Sequence, residues 1–357
     1  MNTKYKNIAF WGLAMLVLVM GCRKDKLKYD IPTTYNFENV SYSGQTQRMN
    51  MLDEMVSYME TARTTGTALD AQVLKDMFEN ENDPFTFTST KQLKNKVFLG
   101  AQDMLSNVLD SIAVMSTSTS AASNGVAGVA TSLDGSEHFL LDANGFDQTE
   151  IFEKGIMGAV FYYQTVGYYH TDAKIGPDVD NETIEPGKGT DMQHHWDEGL
   201  GYFGIGLNFP ADLSGIRYWG KLCNDRDALM TTNVVLADAF IKGRAAINND
   251  DHDTKSDQVI IIRETWERVI AGSAIHELNE AKEHLSDDAL RNHEISEAIG
   301  FIRALSYNPV KVITDDQINT LISSFGSNLY TVALQTIENA RNTLATVYQL
   351  ETIKDQL

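Results

Sequence analysis

An all-α fold is predicted by three observations. Apolar residues recur at helical spacing through most of the chain, alternation of period two is confined to a short N-terminal stretch, and 357 residues contain only 6 prolines. The 43% hydrophobic content suits a chain with a sizeable core, built as one large domain or two tightly packed lobes. No internal repeat is evident, and the pattern reads as bundle-like.

The order of elements follows from these spacings. Residues 27–45, ending Tyr35-Asn36-Phe37-Glu38-Asn39-Val40-Ser41-Tyr42, alternate aromatic and polar side chains and read as a tether with a short extended piece. Met49, Leu52, Met55, Val56 and Met59 then fall on one helical face, and Leu93, Val97, Phe98, Ala101, Met104, Leu105, Val108 and Leu109 on another. The methionines read as core. Residues 116–132, rich in Ser, Thr, Ala and Gly, read as a flexible loop, and residues 150–169, dense in aromatics, as a buried helix. A second loop spans 171–190, marked by Gly176-Pro177 and Pro186-Gly187. Helices are expected at 191–203, 225–247, 258–285, 288–307, 315–325 and 331–350. Asp225 and Thr314 are the candidate N-caps, and Asn308-Pro309 is a stop signal. Val259 to Ile262 is β-branched, but its continuation through Arg263 to Ile270 favours helix.

At the N-terminus, Lys4 and Lys6 precede an apolar run of about 13 residues, too short for the roughly 20 that span a bilayer. The run ends at Val19-Met20-Gly21-Cys22, the arrangement of a bacterial lipoprotein cleavage site. Residues 1–21 are therefore expected to be a signal peptide and 22–45 a tether lipidated at Cys22, with a helical domain over 46–357. Acyl chains on Cys22 would hold the protein at the membrane by burying CH₂ groups. The Cys-x-Lys-Asp start is similar to the signal that sends lipoproteins to the outer face of the outer membrane in Bacteroidota. Loss of Lys4 and Lys6 takes the formal charge from -20 to -22, which argues against nucleic acid as a partner and against electrostatic docking on anionic lipid. Once Cys22 is a thioether, Cys223 has no intramolecular disulfide partner.

Three polar clusters could carry chemistry. In Asp191-Met192-Gln193-His194-His195-Trp196-Asp197-Glu198, His195 and Glu198 are three apart on a helix and His194 and Glu198 four apart, so either pair can face one cation. Imidazole nitrogen with carboxylate oxygen suits zinc, iron or copper, although such spacing also serves as ordinary helix support. His276, Glu280, Glu283 and His284 form a stripe that reads by default as a solvated face. His293 and Glu297, four apart, enter the apolar helix marked by Ile299, Phe301, Ile302 and Leu305, which makes them the better buried candidate of the latter two. His-Glu-x-x-His, Gly-x-Ser-x-Gly and Walker patterns are lacking, and Gly201-x-x-Gly204-x-Gly206 is no dinucleotide fingerprint.

Several stretches carry a family resemblance: Tyr29-Asp30-Ile31-Pro32-Thr33-Thr34-Tyr35-Asn36-Phe37, Lys174-Ile175-Gly176, Gly189-Thr190, His194 to Glu198, Gly201-Tyr202-Phe203-Gly204, and His293-x-x-Ser296-Glu297 with Tyr307-Asn308-Pro309. In these the chain resembles the DUF4856 lipoproteins of Bacteroidota, and through them the imelysin (M75 peptidase-like) group. The resemblance implies an imelysin-like fold of two packed helical bundles and a place in iron or haem acquisition at the cell envelope. Imelysins carry Gly-x-His-x-x-Glu; here Gln193 stands where the glycine would fall, so the ligand pair His195 and Glu198 carries over better than the peptidase activity. The expectation is an outer-membrane lipoprotein that binds iron, haem or another divalent metal through His195, Glu198, His293 and Glu297. The alternatives are a metal-dependent peptidase, or a structural or accessory partner of an outer-membrane receptor.

Overall fold

The computed structural model describes residues 27–357 and is predominantly helical, as expected. The expected signal peptide and the expected lipidation site at Cys22 lie outside the described residues. Among these residues no helix is long and apolar enough to cross a membrane.

Among the described residues twelve α-helices follow in order: α1 Ser43–Glu60, α2 Ala71–Glu79, α3 Gln102–Ser116, α4 Gln148–Ile156, α5 Asp172–Ile175, α6 Asp191–Phe203, α7 Tyr218–Met230, α8 Thr232–Ile247, α9 His252–Glu283, α10 Asp288–Ala304, α11 Asp315–Ser324 and α12 Leu334–Tyr348. Strands β1 Gly128–Thr131 and β2 His138–Leu141 sit between α3 and α4. The axis is α9, whose 32 residues span about 48 Å and pack against α7, α8, α10 and α12. Ala271, Gly272, Ser273, Ala274 and Ile275 are buried in succession, so this stretch is enclosed on every side, and its small side chains let neighbouring helices close in.

Aromatic rings fill the centre. Trp266 of α9 meets Phe203 at 4.6 Å, Tyr162 at 5.4 Å and Trp219 at 6.3 Å between ring centroids. The aromatic stretch after α4 is helical and buried, and it widens into π-helical turns over Met157–Tyr162 and Gln164–Tyr169. Side chains bond the carbonyls along it: Trp219 Nε1 donates to Met157 at 2.8 Å, and Arg263 donates to Val166 at 3.0 Å and His170 at 2.7 Å.

Helix α8 lies against α6 because Gly243 has no side chain. A Cβ there would sit 2.0 Å from Trp196 Cζ2. Gly243→Ala is expected to cost about 1–3 kcal/mol through overpacking, read as a lower urea midpoint with an unchanged slope.

Several local expectations give way to tertiary forces. The pattern from Leu93 to Leu109 is one helix only from Gln102; before it the chain makes short 3₁₀ turns, because Phe98 donates its backbone N–H to Ala159 and packs its ring on Tyr163. The presumed flexible loop at 116–132 contains β1, paired with β2 so that Val129 faces Leu140 and Ala130 faces Phe139. Phe139, Leu140 and Leu141 are buried in succession, so both faces of the hairpin are covered, and that burial orders what composition alone marks as loop. Asp225 is not an N-cap. It lies within α7, and the break falls at Thr231, held in the left-handed region at φ 52°. Thr314 does cap α11, in a reciprocal capping box with Gln317. Residues read as tether pack closely from Tyr35 onward: Tyr35 is buried and its hydroxyl donates to Asp197 at 2.6 Å.

Candidate functional site

Helix α4 starts at Asp147, whose Oδ1 accepts from the backbone N–H groups of Thr149 and Glu150. That cap sets Asp147, Glu150 and Lys154 at i, i+3 and i+7, one face of the helix. The facing helix is α10. Ser296 Oγ accepts from the Asp147 N–H at 3.0 Å, and Gly300 makes room for Lys154, since a Cβ there would lie 2.5 Å from the lysine Cβ. His293 and Glu297, one turn apart on α10, thereby come to face α4.

The imidazole of His293 stands between three carboxylates. Its Nδ1 is 3.0 Å from Asp147 Oδ2 and 4.0 Å from Glu150 Oε1, and its Nε2 is 3.6 Å from Glu297 Oε2. Phe139 of β2 stacks on the ring at 4.0 Å and fixes its plane. Lys154 Nζ reaches Glu150 at 2.8 Å, Glu297 at 2.8 Å and also Glu153. Arg63 reaches Glu150 from outside at 3.2 Å. The result is a mostly buried network of carboxylates threaded by few cations.

The charges respond accordingly. Burial alone would lower the His293 pKa, but Asp147, Glu150 and Glu297 overcome it and hold the ring at about 9. Burial would raise Glu150, yet Lys154 and His293 keep it below the usual carboxylate range. Glu153 is pushed up to about 7 by burial, with Glu150 and Glu297 adding to the rise and Lys154 opposing it. Burial followed by the neighbouring Glu297 carboxyl raises Glu277 of α9 well above its ordinary value.

Ligand atoms of Asp147, Glu150 and His293 all lie within 4.8 Å of one another. Separations of 3.0 and 4.0 Å from Nδ1 bracket the spacing of roughly 3.4 Å between ligands around a tetrahedral ion with bonds near 2.1 Å. One imidazole nitrogen with two carboxylate oxygens suits zinc, iron or manganese. Glu297, expected as a ligand, faces the opposite ring nitrogen, the place of the outer carboxylate that orients a metal-bound histidine. A second convergent set comprises Glu280 of α9, His284 and Glu294 of α10, with His284 Nδ1 2.7 Å from Glu294 Oε1. Glu283 of the stripe read as a solvated face is exposed, and His284 is 35% exposed where it meets Glu294.

His195 and Glu198 stand apart from both sets. His195 Nδ1 donates to the Lys174 carbonyl at 2.7 Å, and burial lowers its pKa, which leaves Nε2 a neutral acceptor. Glu198 Oε1 accepts from Gln45 at 2.8 Å and from the Tyr169 hydroxyl at 3.0 Å. The residue at ion-pair distance from Glu198 is His194, at 3.9 Å, as i,i+4 spacing favours. Among the described residues no third His, Cys, Asp or Glu donor closes on His195 and Glu198.

Asp147 and Glu150 escape the sequence reading. Their signal is present: an Asp-Gln-Thr-Glu cap followed by the charges Glu150, Glu153 and Lys154 inside an otherwise apolar stretch. Their pairing with His293, 146 positions away for Asp147, has no local trace.

A family model described as "Domain of unknown function (DUF4856)" matches residues 32–350, and the chain belongs to that family. No curated protein and no solved structure matches it.

Proposed function

We propose that this member of the DUF4856 family is an envelope lipoprotein, tethered through Cys22, that binds a divalent metal ion at Asp147, Glu150 and His293. The observation that carries the reading is the convergence of three buried or half-buried donors from α4, its cap and α10 on one point. Glu297 fits the role of the outer partner that orients the imidazole. A bare ion fits better than haem, because Phe139 covers one face of the ring and carboxylates stand at both nitrogens. Iron and zinc both match the donor set, which keeps a place in metal acquisition as the biological role. A peptidase would need an open coordination position beside a substrate cleft.

In the ion-free protein a proton on His293 balances the carboxylates. Binding displaces it, so affinity is expected to rise with pH until about 9, where the ring is already neutral. The test is calorimetric titration of zinc, ferrous iron and manganese into the full chain, extracted in detergent and stripped with a chelator. His293→Ala and Asp147→Asn should lose the ion, and Glu297→Gln should weaken it by roughly 10- to 100-fold. His195→Ala and Glu198→Ala should bind as wild type. Equal binding by wild type, His293→Ala and Asp147→Asn would remove the proposal, and a loss confined to His195→Ala would move the site to α6.

A further inference from the structure

The corner between α9 and α10 gathers its own donors, away from α4. Glu280 lies in the last turn of α9 and His284 follows its end, so the two stand at i and i+4 on one face. Leu285, Ser286 and Asp287 then turn the chain into α10, which brings Glu294 against them. The turn is tied at several points. The Asp287 N–H donates to the His284 carbonyl at 2.8 Å, Asp287 Oδ1 accepts from the N–H groups of Ala289 and Leu290, and Arg291 Nη1 donates to the Leu285 carbonyl at 2.8 Å. One ligand atom from each of Glu280, His284 and Glu294 lies within 4.8 Å of the other two.

The protein leaves these donors incompletely satisfied. Glu294 is 6% exposed, and while its Oε1 meets His284 Nδ1 at 2.7 Å, its Oε2 has no hydrogen-bond partner. A buried carboxylate oxygen in that state calls for a cation or a donor. Among the described residues Glu280 has no cation at ion-pair distance; Arg226 and His276 act on its carboxylate from farther away. The carbonyls at the end of α9 add negative potential at the same place. A protonated His284 answers one oxygen of Glu294 and leaves Oε2 and Glu280 unmet, whereas one ion among the three donors meets them all. Imidazole nitrogen with two carboxylate oxygens suits the zinc class rather than calcium or magnesium, which prefer an all-oxygen shell. The His284 ring is 35% exposed, so water can complete a tetrahedral shell, and the ring stands at a helix end where its 2.7 Å contact can widen toward the roughly 3.4 Å between tetrahedral ligands. We propose that Glu280, His284 and Glu294 form a second, solvent-accessible site for a zinc-class divalent ion. His293 and Glu294 are consecutive on α10 and point roughly 100° apart, so the two sites occupy different faces of that helix and neither depends on the other.

Calorimetric titration of zinc into the chelator-stripped full chain in detergent tests this in the Asp147→Asn background, which lacks the first site; His293→Ala serves where Asp147→Asn does not fold. The background variant should still bind zinc saturably. Adding His284→Ala should weaken that remaining binding by more than the roughly 10- to 100-fold that loss of an outer partner costs. Adding Glu294→Gln, which keeps an oxygen for the imidazole but loses the charge, should weaken it as well, an effect that a mere hydrogen bond between the two side chains would not produce. Calcium at the same concentration should not compete. Circular dichroism of each variant separates loss of binding from loss of fold. If Asp147→Asn keeps every ion the wild type binds, the first site fails while the comparison with His284→Ala still decides the second. Absence of saturable zinc binding in the folded background variant, or equal binding with and without His284→Ala, would overturn the proposal.

Discussion

Lys154→Met is expected to lower the unfolding free energy by about 3–5 kcal/mol at pH 8 and by much less at pH 5. Methionine can fill the channel the lysine occupies, so packing changes little. What disappears is, among the described residues, the only side chain that touches Glu150, Glu153 and Glu297 together. Breaking a buried ion pair from one side leaves uncompensated charge, here on Glu153 above all, because Arg63 and His293 still face Glu150 and His293 still faces Glu297. Without the lysine, burial raises Glu153 unopposed, so the native state binds an extra proton and the penalty grows as pH rises through the unfolded range near 4.5.

The wild type shows a weaker form of the same trend. Glu153, raised to about 7, favours the native state most below about 4.5, and that contribution fades as pH climbs to 7. His293, raised to about 9, contributes fully below about 6.5 and loses its contribution as pH climbs through 9. Urea unfolding of both proteins at pH 5, 7 and 9 reads all of this. A variant whose deficit is the same at pH 5 and pH 9 would show that Lys154 does not neutralise the cluster.

A second large effect is expected at Asp197, where alanine should cost about 3–5 kcal/mol. Asp197 and Arg244 are almost wholly removed from solvent, with Arg244 Nε 3.0 Å from Asp197 Oδ1. The pair is no source of net stability. Burial raises the Asp197 pKa despite Arg244 and Tyr35, which reveals the desolvation cost of keeping it charged. Removing one partner is different, because it strands a buried guanidinium. Asp197→Ala with Arg244→Met should recover most of the loss, and the double-mutant cycle measures the coupling.

Asp197 also has a local role. It accepts from the Tyr35 hydroxyl and the Ser41 backbone, while Arg244 lies 5.3 Å over the Phe37 ring, so the pair fastens the chain that leads back toward Cys22. Limited proteolysis within residues 35–42 should accelerate in Asp197→Ala. An unchanged cleavage rate there would contradict this fastening.

Of the two caps read from the sequence, Thr314 holds and Asp225 does not, while the start of α6 at Asp191 was legible without its cap Thr190 being named. Thr190 with Gln193 and Thr314 with Gln317 are reciprocal capping boxes, and α6 and α11 begin where those residues place them. The β1–β2 hairpin was not legible, because its order comes from burying Phe139 and Leu141 rather than from its own Ser- and Gly-rich composition. The site divides along the same line. A polar pair entering an apolar helix pointed to His293 and Glu297, since burial of charge demands partners. Those partners sit on α4, and contacts that distant in sequence leave no periodic signature. His195 and Glu198 have the spacing of a ligand pair, but the Lys174 carbonyl, Gln45 and Tyr169 bond both side chains. Spacing on one helix cannot reveal what its neighbours contribute.

The most direct test of the central claim is anomalous diffraction from crystals of the protein grown with zinc or manganese. The account predicts a peak about 2.0–2.2 Å from a His293 ring nitrogen and from carboxylate oxygens of Asp147 and Glu150. An empty map at that point, or a peak only beside His195 and Glu198 or at Glu280, His284 and Glu294, would contradict it.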